Sequence, residues 1–135
     1  MVTDLARPSE SEKITINLGY VDLGRIDLLV REGVYSNRTD LIRTAIRNQL
    51  DRHADVVKQS VGRRRLDLGL RDYSRRELEQ HRAAGDVLHI GVVGLIRIAA
   101  DVTPELARAT IGSITVLGAL QASSDVRSAL ADRIT

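Results

Sequence analysis

The chain has no cysteine, no phenylalanine and no tryptophan, and only two prolines and three tyrosines in 135 residues. Without cysteine there can be no disulfide, no thiolate metal site and no Cys nucleophile, and the composition fits a reducing, cytoplasmic compartment. Without large aromatics, any core must be built from Leu, Ile, Val and Ala. Such small aliphatic cores close poorly in isolation, and self-association is a common remedy. The same scarcity argues against stacking platforms for single-stranded nucleic acid or RNA, which interleave aromatic and basic residues. Lysine is also nearly absent: of 20 cationic residues only Lys13 and Lys58 are not arginine. Arginine favours planar, bidentate contacts with phosphate, carboxylate and base edges. The longest apolar stretch, near residues 90–100, is too short to span a bilayer. The opening MVTDLARPSESEK lacks the apolar segment of a signal peptide, so neither a membrane nor export is expected.

What the chain does have is unevenly placed. Residues 1–84 carry 16 basic and 13 acidic side chains, and residues 85–135 carry 4 and 5, so the net charge of +2 originates entirely in the first part. Residues 1–11 hold Pro8 and mixed charges and read as a disordered arm. Between residues 12 and 18, EKITINL alternates polar with apolar, which is the pattern of a strand with one buried face. Ile14, Ile16 and Leu18 share that face; Lys13, Thr15 and Asn17 share the other. A helix is expected at about 21–32, with Leu23, Ile26, Leu29 and Val30 in one stripe and Gly33 as its stop. A second should begin at the N-cap Asn37, with Asp40 completing a capping-box-like pair, and run to about 57. Its stripe is Leu41, Ile42, Ala45, Ile46, Gln49 and Leu50. Arg43 and Arg47 read as a solvated face paired with Asp40 and Asp51.

Residues 58–73 read as a junction with two glycines, the run Arg63-Arg64-Arg65, and a short strand over the alternating Leu66, Leu68 and Leu70. Ser74-Arg75-Arg76-Glu77 is a capping box, and Gly85 ends the helix it starts. From residue 74 to 135 the chain reads as a small α+β module. Inside it lies a 24-residue internal repeat that matches Val92 with Val116, Gly94 with Gly118, Asp101 with Asp125, Val102 with Val126, Leu106 with Leu130 and Ala107 with Ala131. Each copy reads as strand, acidic turn and short helix, with Asp101 and Asp125 as caps and Pro104 in a first helical turn. Two copies bury little surface alone, so stacking on another copy of the chain is expected.

A lone strand at 12–18 leaves its backbone groups unpaired. Strand, helix, glycine turn and helix over residues 12–52, with KITINL followed by GVYSNRTDLIRTAIR, resembles the ribbon-helix-helix family of DNA-binding proteins of the CopG/Arc/MetJ kind. The resemblance implies that two chains pair their strands into an antiparallel ribbon. Ile14, Ile16 and Leu18 would then face a shared helical core. Lys13, Thr15 and Asn17 would enter a DNA major groove, where Lys suits guanine or phosphate, Asn suits adenine, and Thr offers a hydroxyl and a methyl. The start of the second helix, at Asn37, Arg38 and Thr39, would hold phosphate through free N–H groups and the Arg38 charge.

No enzymatic reading competes: no nucleophile and base pair up, and Gly91 and Gly94 are a weak phosphate-loop signal better read as close strand packing. His53, His81 and His89 do not have the spacing of a metal set, and His89 reads as a strand residue with a hydrogen-bonded ring. No metal and no cofactor are expected; a small-molecule effector is left open. The fold expected is α+β, an N-terminal ribbon-helix-helix at 12–57 in a swapped dimer followed by the C-terminal module. The function expected is a sequence-specific regulator of transcription, a repressor by preference. Its partners would be double-stranded DNA and itself, as a dimer joined into a tetramer or higher. The alternatives are an antitoxin whose tail binds a toxin, or an assembly protein that does not bind DNA.

Overall fold

The computed structural model describes residues 10–135; the arm expected at 1–11 lies outside them but for its last two residues. The fold is α+β, with six α-helices and one three-stranded parallel sheet among the described residues. The chain divides into two compact units, with the boundary between Gln59 and Ser60. The first, a helical unit, holds α1 (Tyr20–Arg31), α2 (Arg38–Arg52) and the start of α3 (Ala54–Arg64). The second, a sheet unit, runs β1 (Asp67–Tyr73), α4 (Arg75–Ala84), β2 (Leu88–Ile98), α5 (Pro104–Thr110), β3 (Ile111–Gln121) and α6 (Ser124–Ala129).

In the helical unit, α1 ends as its sequence requires. Gly33 takes φ +81°, and its N–H donates to the Val30 carbonyl at 3.0 Å while the Val34 N–H donates to Leu29 at 3.0 Å. That is a Schellman closure, in which a left-handed glycine satisfies the last carbonyls of the helix. Asn37 caps α2, its Oδ1 accepting from the Asp40 N–H at 2.8 Å, and the Asp40 carboxylate reaches back to the Ser36 N–H at 3.0 Å. The reciprocal bond thus lands one residue before the cap, a shifted version of the expected capping box. The α2 helix does not run on unbroken to 57: it stops at Arg52, and α3 begins at Ala54. The anticipated junction is helical up to Arg64, including Gly62 and two of the three consecutive arginines. Arg65, at φ +55°, ends it.

In the sheet unit the strands lie in the order β1-β2-β3, all parallel. Parallel neighbours need a crossover between them, and α4 and α5 supply it. Ser74 caps α4 by accepting from the Glu77 N–H at 3.1 Å, and Gly85 ends it at φ +75°. The caps of α5 and α6 are not Asp101 and Asp125: Thr103 accepts from the Leu106 N–H and Ser123 from the Val126 N–H. Pro104 explains the first difference. It occupies the first helical position and holds the residue before it extended, which makes Thr103 the cap. The turn after β2 is also longer than the turn after β3, so the two helices start out of step although their strands pair Val92 with Val116 and Gly94 with Gly118.

The core lies on one side of the sheet. Ile90, Val92, Ile96 and Ile98 of β2 and Ile114 and Leu120 of β3 meet Leu78 of α4, Leu106 and Ala107 of α5, and Val126 of α6. The one polar side chain buried there, Thr110, donates its hydroxyl to the Leu106 carbonyl at 2.8 Å. A row of glycines crosses the sheet: Gly69 pairs with Gly94 and Gly94 with Gly118. All three have positive φ, and a Cβ on Gly94 would sit 2.0 Å from the Gly69 carbonyl oxygen. Only glycine fits there. The opposite side of the sheet carries Leu68, Val93 and Leu117 in one row and Leu70, Leu95 and Ala119 in the next, with Leu68 and Leu117 largely exposed.

Candidate nucleic-acid interface

The helical unit contains no fully buried side chain in any of its helices. Leu23, Ile26 and Val30 of α1 and Leu41 and Ile42 of α2 are half-buried. The rest of the expected stripe is open to solvent: Leu29, Ile46 and Leu50 are exposed, as are Ile14, Ile16 and Leu18, with Ile14 at 71%. Within this single chain residues 12–18 join no ladder of strand hydrogen bonds. The apolar half of the alternating segment and the free half of the helix stripe therefore lie uncovered in the same unit. Lys13, Thr15 and Asn17 are exposed as well.

At the start of α2 the surface is concave. A hollow of about 440 Å³ is lined by Ser36, Asn37, Thr39, Asp40, Arg43, Thr44 and Arg47. The N–H groups of Arg38 and Thr39 precede the first helical acceptor, so they are the orphan donors of this terminus. Asn37 and Thr39 are in the hollow, but the Arg38 guanidinium is elsewhere. Its Nε and Nη2 donate to the two Asp27 carboxylate oxygens at 2.8 and 2.9 Å, which clasps α1 to α2. The hydrogen bond and the charge of Arg38 lower the Asp27 pKa, and Asp27 raises that of Arg38 in turn. Arg43 and Arg47, expected on a paired solvated face, face the hollow instead, and neither forms an ion pair among the described residues. The signal that could have found them was in the sequence: they lie four and eight residues after Thr39, one and two turns on along the same helix face. Free cations beside orphan N–H donors make an anion-binding surface, because both the charge and the helix terminus favour it.

The histidines take structural roles. His89 of β2 hydrogen-bonds Ser113 of β3 at 2.9 Å, His81 meets Asp86 at 3.1 Å, and His53 meets Gln49 at 3.3 Å. None of the described helices is long and apolar enough to cross a membrane.

The sequence matches the model of the Ribbon-Helix-Helix transcriptional regulator family over residues 9–127. The chain belongs to that family. The match takes in the alternating segment, both units and most of α6, so the sheet unit is part of the family pattern and not an addition to it. Regulators of this kind bind DNA and typically dimerise, and they are typically not enzymes. No curated protein and no solved structure matches the chain.

Proposed function

We propose that the protein is a homodimeric, operator-binding transcriptional regulator, acting as a repressor, in which residues 12–18 of two chains pair as an antiparallel ribbon. The observation that carries this reading is the helical unit without a buried side chain. A unit that leaves Ile14, Ile16, Leu18, Ile46 and Leu50 in water has a poor balance of burial against chain entropy. A second copy corrects this in one step: the ribbon pairs the strand backbones, and its apolar face closes over the free helix stripes. The polar face then carries Lys13, Thr15 and Asn17 into the major groove as the base-reading side chains. Phosphate is held at the start of α2 by Asn37, by the N–H groups of Arg38 and Thr39, and by Arg43 and Arg47. Arg38 serves chiefly through its backbone, since its side chain is committed to Asp27.

The sheet unit joins dimers into a tetramer in this account. Parallel sheets are as a rule covered on both faces. Here α4, α5 and α6 pack on one, while Leu68 and Leu117 stand exposed on the other. A folded unit with its own core also fits joining better than the short, unfolded tail expected of an antitoxin. The test is a gel shift with the DNA upstream of the protein's own coding region, across a salt series. Wild-type protein should bind tightly, lose affinity steeply with salt and resist competitor DNA. Changing Lys13, Thr15 and Asn17 together to Ala should remove specific binding and leave the circular dichroism and the dimer unchanged. Persistence of specific binding in the triple variant would refute the ribbon assignment.

A further inference from the structure

The carboxyl ends of β1, β2 and β3 open onto a crevice that the DNA-binding account does not use. Its volume is about 690 Å³, within the range of small-molecule sites. Its floor is apolar and small. Ala99, Ala100 and Ala122 follow the strand ends and leave the space that larger side chains would fill, and Ile98 and Leu120 complete the floor. Its rim is cationic. Arg97 is already neutralised, donating to Asp72 at 2.8 Å and lying 3.9 Å from Glu10. Arg127 is not: its guanidinium donates to the Leu120 carbonyl, which fixes it at the end of β3, and no carboxylate pairs with it among the described residues. The hydroxyls of Ser74 and Ser123 line the same crevice. Each oxygen accepts a capping N–H, which leaves its O–H to donate.

We infer that this crevice is a binding site for a small organic monoanion, a carboxylic acid with an aliphatic tail, whose carboxylate meets Arg127 and whose tail lies on the alanine floor. Carboxylate is the natural complement of a fixed guanidinium. The apolar floor selects for a tail over a bare inorganic anion, which would leave the alanines in water. The inference goes beyond the operator-binding reading and does not depend on it, because the test contains no DNA.

The experiment is isothermal calorimetry on the full-length protein with three probes: octanoate, octanamide and inorganic phosphate. Octanoate should bind saturably, with octanamide and phosphate each at least tenfold weaker. Arg127→Gln, which removes the charge, should weaken octanoate tenfold or more and leave octanamide unchanged. Ala100→Leu, at an exposed turn position outside the core, should fill the crevice and weaken octanoate by a similar factor while keeping Arg127. Absence of saturable octanoate binding would overturn the inference. So would equal affinity for octanoate and octanamide, or octanoate binding that neither variant changes.

Discussion

The two units of this chain solve the burial problem in opposite ways. The sheet unit has a core of its own: Leu78, Ile96, Ile111, Ile114 and Leu130 are fully buried between one face of the sheet and its helices. The helical unit has well-formed ends, with a Schellman closure, a capped helix and a bidentate clasp, yet it buries nothing completely. Local signals can therefore be fully met while the tertiary requirement is not. The difference shows which unit the chain finishes by itself and which one the proposed dimer would have to finish.

The comparison can be broken hardest at Gly94. Gly94→Ala places a methyl group against the Gly69 carbonyl and forces alanine into a backbone region it avoids. We expect a loss of about 3 kcal/mol or more from the sheet unit, read by denaturant unfolding, with little effect on the helical unit. A variant as stable as wild type would mean that the glycine row is not held as described.

The next largest effects compare one substitution in each unit. Leu78→Ala in the sheet core should cost about 2–5 kcal/mol at any protein concentration. Ile16→Ala, exposed in the single chain, would cost within about 0.5 kcal/mol if that exposure persisted in solution. In the ribbon account it costs about 2 kcal/mol or more, and the loss appears as a weaker dimer, so melting becomes more concentration-dependent. Light scattering sharpens the contrast on the sheet side. Leu117→Asp on the open face should convert a tetramer to a dimer while the sheet unit stays folded by circular dichroism. A wild-type protein no larger than a dimer would remove the joining role.

The smallest expected effect is electrostatic. Arg43→Gln should weaken DNA binding across all sequences and reduce the salt slope by about one. Asp27→Asn releases the clasp on Arg38 and should lower the melting temperature slightly. The Asp27 pKa is depressed in the folded chain, so this contribution is present above the ordinary carboxylate range and is lost as pH falls through the folded value. Between pH 6 and 8 the difference between wild type and Asp27→Asn should therefore be flat.

Much of this architecture was legible in the residues, and the exceptions have physical causes. Gly33, Asn37, Ser74, Gly85 and Pro104 announced helix ends because each residue type has a specific backbone or capping chemistry, and the structure uses each as expected. The caps Thr103 and Ser123 were missed because the repeat aligned the strands correctly and that alignment was extended to turns of unequal length. Helix α3 was missed because Gly62 and three arginines look like a linker when tertiary context is unseen, and one glycine costs only about 1 kcal/mol in a helix. At the start of α2, sequence pattern identified Asn37 as a cap but could not show that Arg38 is spoken for by Asp27, an ion pair across 11 residues of chain. Nor could it show that Arg43 and Arg47 remain unpaired beside the hollow.

The central claim is that residues 12–18 pair with the same residues of a second chain. The absence of native cysteine allows a direct test: single cysteines placed in turn at positions 13 to 17 and oxidised in the full-length protein, with products resolved on a non-reducing gel. In an antiparallel ribbon, opposed Cα atoms lie about 4.5–5.5 Å apart, within disulfide reach. The account predicts covalent dimer in high yield near Thr15, the midpoint of the segment, falling away toward Lys13 and Asn17. Little or no crosslinking at every one of the five positions, in protein that light scattering shows to be dimeric, would contradict it.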